Sequence, residues 1–100
     1  MYVTGREIMP TQGRLQDAMA FVTTMTSSMN EKFGSNLAVS MEVGGNPNKL
    51  WITAFWATLD DYQSFVEGYS TDPTIQVGFN VADSVVAEAQ DQIGQVMRAP

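Results

Sequence analysis

The stretch NKLWITAFWATLDDY, residues 48–62, decides the fold. Between Leu50 and Ala57 only Thr53 is neither apolar nor aromatic. Side chains alternate between the two faces of a strand, so Leu50, Ile52, Ala54 and Trp56 point one way and Trp51, Thr53, Phe55 and Ala57 the other. A strand that is apolar on both faces needs a cover on both. In a chain of 100 residues, which hides roughly 65% of its unfolded surface, the material for one core is present and little more. The question is what supplies the second cover.

Working outward, GGNPN at 44–48 reads as a hairpin loop, and NLAVSMEV at 36–43 alternates Leu37, Val39, Met41 and Val43 against Ala38, Ser40, Glu42 and Gly44, a strand with one face in a core. Before it, Leu15, Ala18, Met19, Val22, Met25, Met29 and Phe33 recur three and four residues apart, which predicts a long helix from Arg14 to Phe33 stopped by Gly34. YVTGREIM at 2–9, halted by Pro10, reads as a first strand. On the other side of the deciding stretch, Thr58 caps a helix whose first turn holds Asp60 and Asp61, with Leu59, Tyr62, Phe65, Val66 and Tyr69 as its inner stripe. Asp72-Pro73 starts a second helical piece carrying Ile75, Phe79, Ala82 and Val86 inward, and QDQIGQVMR at 90–98 is the last strand, with Gly94 marking a bulge.

Strand, helix, strand, strand, split helix, strand is the order of a ferredoxin-like βαββαβ sandwich, an α+β fold over residues 1–100 as one domain. Its first and third strands are central and its second and fourth are edges. Right-handed crossovers put both helical layers on one face of the four-stranded antiparallel sheet. The other face stays bare, and leaving Trp51, Thr53 and Phe55 in water forgoes several kcal/mol at ~25 cal/mol per Å². A second copy of the chain is the simplest cover, so the expectation is a homodimer closed into an α/β barrel through the open sheet faces.

WITAFWATLDDYQSF followed by TDP resembles the strand-to-helix junction of the dimeric α/β-barrel superfamily, which includes antibiotic-biosynthesis monooxygenases and NIPSNAP-like proteins. The matching parts are Trp56 at the strand end, the turn Ala57-Thr58-Leu59-Asp60, and the helix Tyr62 to Tyr69; the opening strand before TQGR and the closing DQIGQVM extend the likeness over nearly the whole chain. For the haem-degrading branch the resemblance would require an Asn on the first strand, a Trp on the second helix and a following His. Arg6 and Phe65 stand in the first two places, and the chain contains no His.

Composition narrows the chemistry further. A net charge of −6, from five basic and eleven acidic residues, argues against nucleic acid and anionic membranes. Without His or Cys, thiolate catalysis and the common zinc, copper and haem sites are out of reach, so neither a metal nor a cofactor is expected. The first residues carry no basic-flanked apolar run, which makes the cytoplasm the expected location. The candidate cleft lies between helices and sheet, lined by Arg6, Trp56, Tyr62, Tyr69 and Asn80, and would take a small apolar or aromatic ligand. Arg6 on a central strand is costly unless paired or facing a cavity, and Glu42 and Glu88 are the partners an ion-pair reading offers. For Trp56 and the tyrosines the plainer role is core packing. Two function classes follow: a dimeric small-molecule-binding or structural protein, and a cofactor-independent monooxygenase or isomerase acting on an aromatic or polyketide-like substrate, as the resemblance implies.

Overall fold

The structure, a computed structural model, describes residues 1–41 and 49–97, and at Val81 and Asp83 the backbone alone. Its elements are β1 (Tyr2–Pro10), α1 (Leu15–Phe33), β2 (Ala38–Met41), β3 (Leu50–Trp56), α2 (Leu59–Thr71), α3 (Pro73–Val85) and β4 (Val86–Gln95). The strands form one antiparallel sheet in the order β2-β3-β1-β4. This is the ferredoxin-like arrangement, with the first and third strands central. Glu42 and Val43, expected to close the second strand, and the loop 44–48 lie outside the described residues.

Register fixes the faces. Ile8 lies opposite Leu50, Arg6 opposite Ile52 and Thr4 opposite Ala54, and this set points to the helices. There Ile8, Leu50, Ala18, Val22 and Val85 form the buried core. Val3 opposite Phe55, Gly5 opposite Thr53 and Glu7 opposite Trp51 make up the other face. Phe55 is 54% exposed, while Trp51 and Thr53 are half-buried. One layer of helices and one of sheet give a body only 19 Å thick along its shortest axis.

Local chemistry sets the element ends. Gly34 closes α1 in the left-handed region at φ 66°, with its N–H donating to the Asn30 carbonyl. Asn30 then fastens the link to β2: its Oδ1 accepts from Leu37 N–H at 2.8 Å and from Ser35 Oγ at 2.8 Å, and its Nδ2 donates to the Leu37 carbonyl at 3.1 Å. Thr58 Oγ1 accepts from Asp61 N–H at 3.1 Å to start α2. Asp72 accepts from Ile75 N–H at 3.1 Å and Pro73 occupies the first helical position, so the chain bends and starts α3 at once.

Several sequence expectations need correction. Val86 belongs to β4 rather than to the inner stripe of α3, because Val85 ends the helix and Val86 opens the strand. β4 ends at Gln95, which leaves Met97 beyond it and 90% exposed. Gly94 pairs with Val3 in regular register; the irregularity lies between Met9 and Pro10, where Glu88 and then Val86 are the partners and Ala87 is the extra residue. Leu59 is 46% exposed, since the first residue of α2 lies ahead of the turn that meets the sheet. Every residue of β2 is exposed as well, in keeping with its place at the edge of the sheet.

The contrast between Leu50 and Leu59 is testable. Leu50→Ala removes a fully buried side chain and should lower unfolding free energy by about 2–5 kcal/mol. Leu59→Ala should stay within about 0.5 kcal/mol. Urea unfolding of the two variants checks both, and equal losses would mean that α2 is rotated from the orientation described.

Candidate functional site

Between the helices and the sheet lies a cavity of about 150 Å³. Its floor is the helix-facing side of β1, from Thr4 through Arg6 to Ile8, with Ile52 of β3 and Ala89 and Asp91 of β4 alongside. α1 contributes Phe21, Met25 and Met29, and α2 and α3 contribute Tyr62, Phe65, Tyr69 and Phe79. The side chains that recur every three or four residues along the helices are what bring these groups to one place.

The aromatic wall is continuous. Phe65 sits at its centre, 5.0 Å from Trp56, 5.1 Å from Tyr69 and 6.0 Å from Phe33 between ring centroids; Tyr69 reaches Phe79 at 6.0 Å, and Trp56 meets Tyr62 at 5.5 Å. These tilted and edge-on geometries suit the ring quadrupoles. Two glycines let the helices come close: a Cβ at Gly68 would lie 3.1 Å from the Phe33 ring, and one at Gly78 would lie 2.7 Å from Met25 Sδ.

The polar end of the cavity is an ion pair. Arg6 Nε donates to Asp91 Oδ1 at 2.6 Å and Nη2 donates to Oδ2 at 2.9 Å, a two-pronged contact between directly paired positions of β1 and β4. Both groups keep contact with solvent, with side-chain exposures of 37% and 57%. The hydrogen bond to Asp91 raises the Arg6 guanidinium above its ordinary value against the opposing effect of burial; the charge of Asp91 and the nearby Tyr69 add to the rise. The Asp91 carboxyl is held below its usual range, first by the hydrogen bond from Arg6, with burial opposing and the Arg6 charge assisting. Tyr62 is shifted upward, mainly by burial, so it stays a neutral hydroxyl near pH 7.

The five candidate residues separate into two groups. Arg6, Tyr62 and Tyr69 come together on the cavity wall. Trp56 does not: it is buried behind the wall against Tyr62 and Phe65, its Nε1 donates to Thr4 Oγ1 at 2.9 Å, and it borders a second depression with Phe33, Phe55 and Asp61. Asn80 is exposed on α3 and outside the cavity lining, whose α3 positions are Phe79 and Ala82. The partner of Arg6 is Asp91 rather than Glu88, while Glu42 is outside the described residues. The sequence reading missed Asp91 because a strand boundary at Gln90 leaves the register with β1 undefined; an antiparallel pairing of Ile8 with Ala89 would have placed it opposite Arg6.

The opposite face carries its own pair. Glu7 points there and its Oε1 accepts from Lys49 Nζ at 2.7 Å, with Lys49 Nζ 5.7 Å from the centre of the Trp51 ring. Among the described residues no group of three or more acidic side chains gathers to hold a metal ion, and no helix is long and apolar enough to cross a membrane.

Solved structures share this fold. A NIPSNAP domain protein from Burkholderia xenovorans superposes with a TM-score of 0.84 at 13% identity, covering 100% of this chain and 99% of that one. The ferredoxin-like fold is common to both. A NIPSNAP family protein from Agrobacterium tumefaciens gives 0.80 at 16% identity, over 94% and 90% of the two chains. A protein from Deinococcus radiodurans, provisionally assigned as an antibiotic biosynthesis monooxygenase, gives 0.76 at 12% identity, over 100% and 96%. The chain matches no protein-family profile and no curated protein.

Because Asp91 titrates below its ordinary 3.8 in the folded protein, the pair contributes stability that is fully present above that value and is lost as pH falls through the lower folded value. The contribution, after solvent screening, is at most about 1 kcal/mol. Asp91→Asn should therefore lose stability at neutral pH and converge with wild type as the pH falls through the lowered Asp91 value. Urea midpoints measured across that range give the answer, and a constant difference at all pH values would contradict the assignment.

Proposed function

We propose that the protein is a small-molecule-binding homodimer whose ligand occupies the cavity between helices and sheet. The observation that carries this reading is the cavity itself: an apolar, aromatic-walled space ending in the Arg6–Asp91 pair and the Tyr62 and Tyr69 side chains. Apolar walls with a few convergent polar groups are the ordinary make-up of a site for a small organic ligand. The dimer reading rests on Phe55 and the half-buried Trp51 and Thr53, which share the sheet face away from the helices. Pairing two such faces buries both sets at once, in the isologous way expected of a two-fold assembly.

A second reading is cofactor-independent oxygenation or isomerisation of an aromatic substrate. It is favoured by Arg6 and two tyrosines at the polar end, where an electron-rich ring could be oriented, and by the provisional assignment of the Deinococcus radiodurans protein. Oxygen uptake with quinol or anthrone compounds separates the readings. A binding protein gives equal background rates for wild type and Arg6→Ala, whereas an oxygenase loses its rate in the variant.

Two outcomes test the main proposal. Sedimentation should return twice the chain mass of 11.0 kDa for wild type and a folded single chain for Phe55→Glu. A wild-type monomer at micromolar concentration would remove the dimer. Toluene in the millimolar range should raise the thermal midpoint of wild type and leave that of Ala82→Phe, in which the cavity is filled, unchanged. Equal effects on the two would remove the cavity as the binding site.

A further inference from the structure

The cavity, taken as the ligand site proposed above, also constrains the ligand's size and charge. Size comes first. A volume of about 150 Å³ is that of an engineered apolar cavity known to hold benzene, so the space accommodates one aromatic ring. The walls agree with a ring: Phe65 and Phe79 offer faces and edges, and the thioethers of Met25 and Met29 make favourable contacts with aromatic rings.

Charge comes second. Arg6 alone would make the polar end a receptor for carboxylates, but Asp91 already takes two of its donors. The end therefore carries no net charge. A carboxylate arriving there meets Asp91 as a like charge and must compete with it for the guanidinium; an ammonium meets Arg6 in the same way. A neutral group avoids both costs. Of the five N–H donors of a guanidinium, three are left over from the contact with Asp91, with the Tyr69 hydroxyl close to the same guanidinium, and each Asp91 oxygen has a further lone pair. A hydroxyl can use both, accepting from Arg6 and donating to Asp91. A carbonyl can use only the first.

We infer that the site selects an uncharged single-ring phenol, its ring held in the apolar part of the cavity and its hydroxyl set on the Arg6–Asp91 pair. The pair then acts as a charge filter as well as an anchor, and Asp91 is the specificity-determining residue: it makes Arg6 a partner for hydroxyls instead of anions.

The test compares ligands of nearly equal size by calorimetry or by chemical-shift titration at pH 7. p-Cresol should bind wild type about five- to tenfold more tightly than toluene, the difference one hydrogen-bonded hydroxyl makes. Benzoate and benzylamine should both bind at least about tenfold more weakly than p-cresol. In Asp91→Asn, which leaves Arg6 uncompensated, the order of p-cresol and benzoate should reverse while toluene stays unchanged. If toluene and p-cresol bind equally, or benzoate leads in wild type, the phenol assignment is overturned and the cavity remains a binding site. If none of the probes binds wild type, toluene included, the cavity reading falls and the phenol assignment with it. Failure of the order to reverse in Asp91→Asn overturns the role given to Asp91.

Discussion

The structure depends on the two-sided demand of β3. Leu50, Ala54 and Trp56 need one cover, and Trp51 and Phe55 press for another. The helices answer the first demand, and every other arrangement follows from that choice. β3 must be central, so β1 pairs with it on one side and β2 on the other, and β4 has only the far edge of β1 left. The helix-facing residues of β1 and β3 thereby become the floor of both the core and the cavity. Near the β1–β3 crossing at Ile8 and Leu50 the floor is filled by Ala18, Val22 and Val85. Further along, at Arg6 and Thr4, the helices stand off and the cavity opens.

β1 shows how a central strand can carry adjacent opposite charges. Arg6 and Glu7 point to opposite faces, so neither can neutralise the other, and an unpaired charge in the middle of a sheet is costly. Each instead finds its partner across the faces' own neighbours: Asp91 of β4 on the helix side, Lys49 at the start of β3 on the open side. The two pairs fasten β1 to both flanking strands. On the helix side the fastening also gives the cavity its polar end, so one contact serves the sheet and the site together.

Much of this was legible in the sequence, for particular reasons. The even and odd sets of 50–57, the helical stripe from Leu15 to Phe33 and the Asp72-Pro73 start are governed by local periodicity and capping, which a single chain displays directly. Tyr62 and Tyr69 could be placed on the cleft because they are seven residues apart on one helix, and Arg6 because it is charged where charge is expensive. Asp91 could not, since its pairing with Arg6 spans 85 positions and depends on a strand register that a bulge at Ala87 offsets by one residue. Asn80 was misplaced for a simpler reason: Phe79 takes the inward position, and on a helix its immediate neighbour is turned about 100° away. Trp56 fell on the right face but behind the wall, because Tyr62 and Phe65 stand between it and the cavity.

The cavity itself has a physical origin in the residues chosen for α2. That helix buries none of its side chains completely and meets the sheet through the rings of Tyr62, Phe65 and Tyr69. Flat rings in edge-on contact cannot interdigitate with the thioethers of α1 as branched aliphatic side chains would, and a space is left between them. The space opens toward solvent at the Arg6–Asp91 pair and is otherwise enclosed by these rings and the α1 thioethers. Gly68 and Gly78 sharpen the point, because they bring α2 and α3 as near to Phe33 and Met25 as backbone allows, and the space persists all the same. A space that close approach does not close, walled by aromatic rings and ending in a neutralised ion pair, is what the ring-to-ring packing of α2 leaves over the sheet.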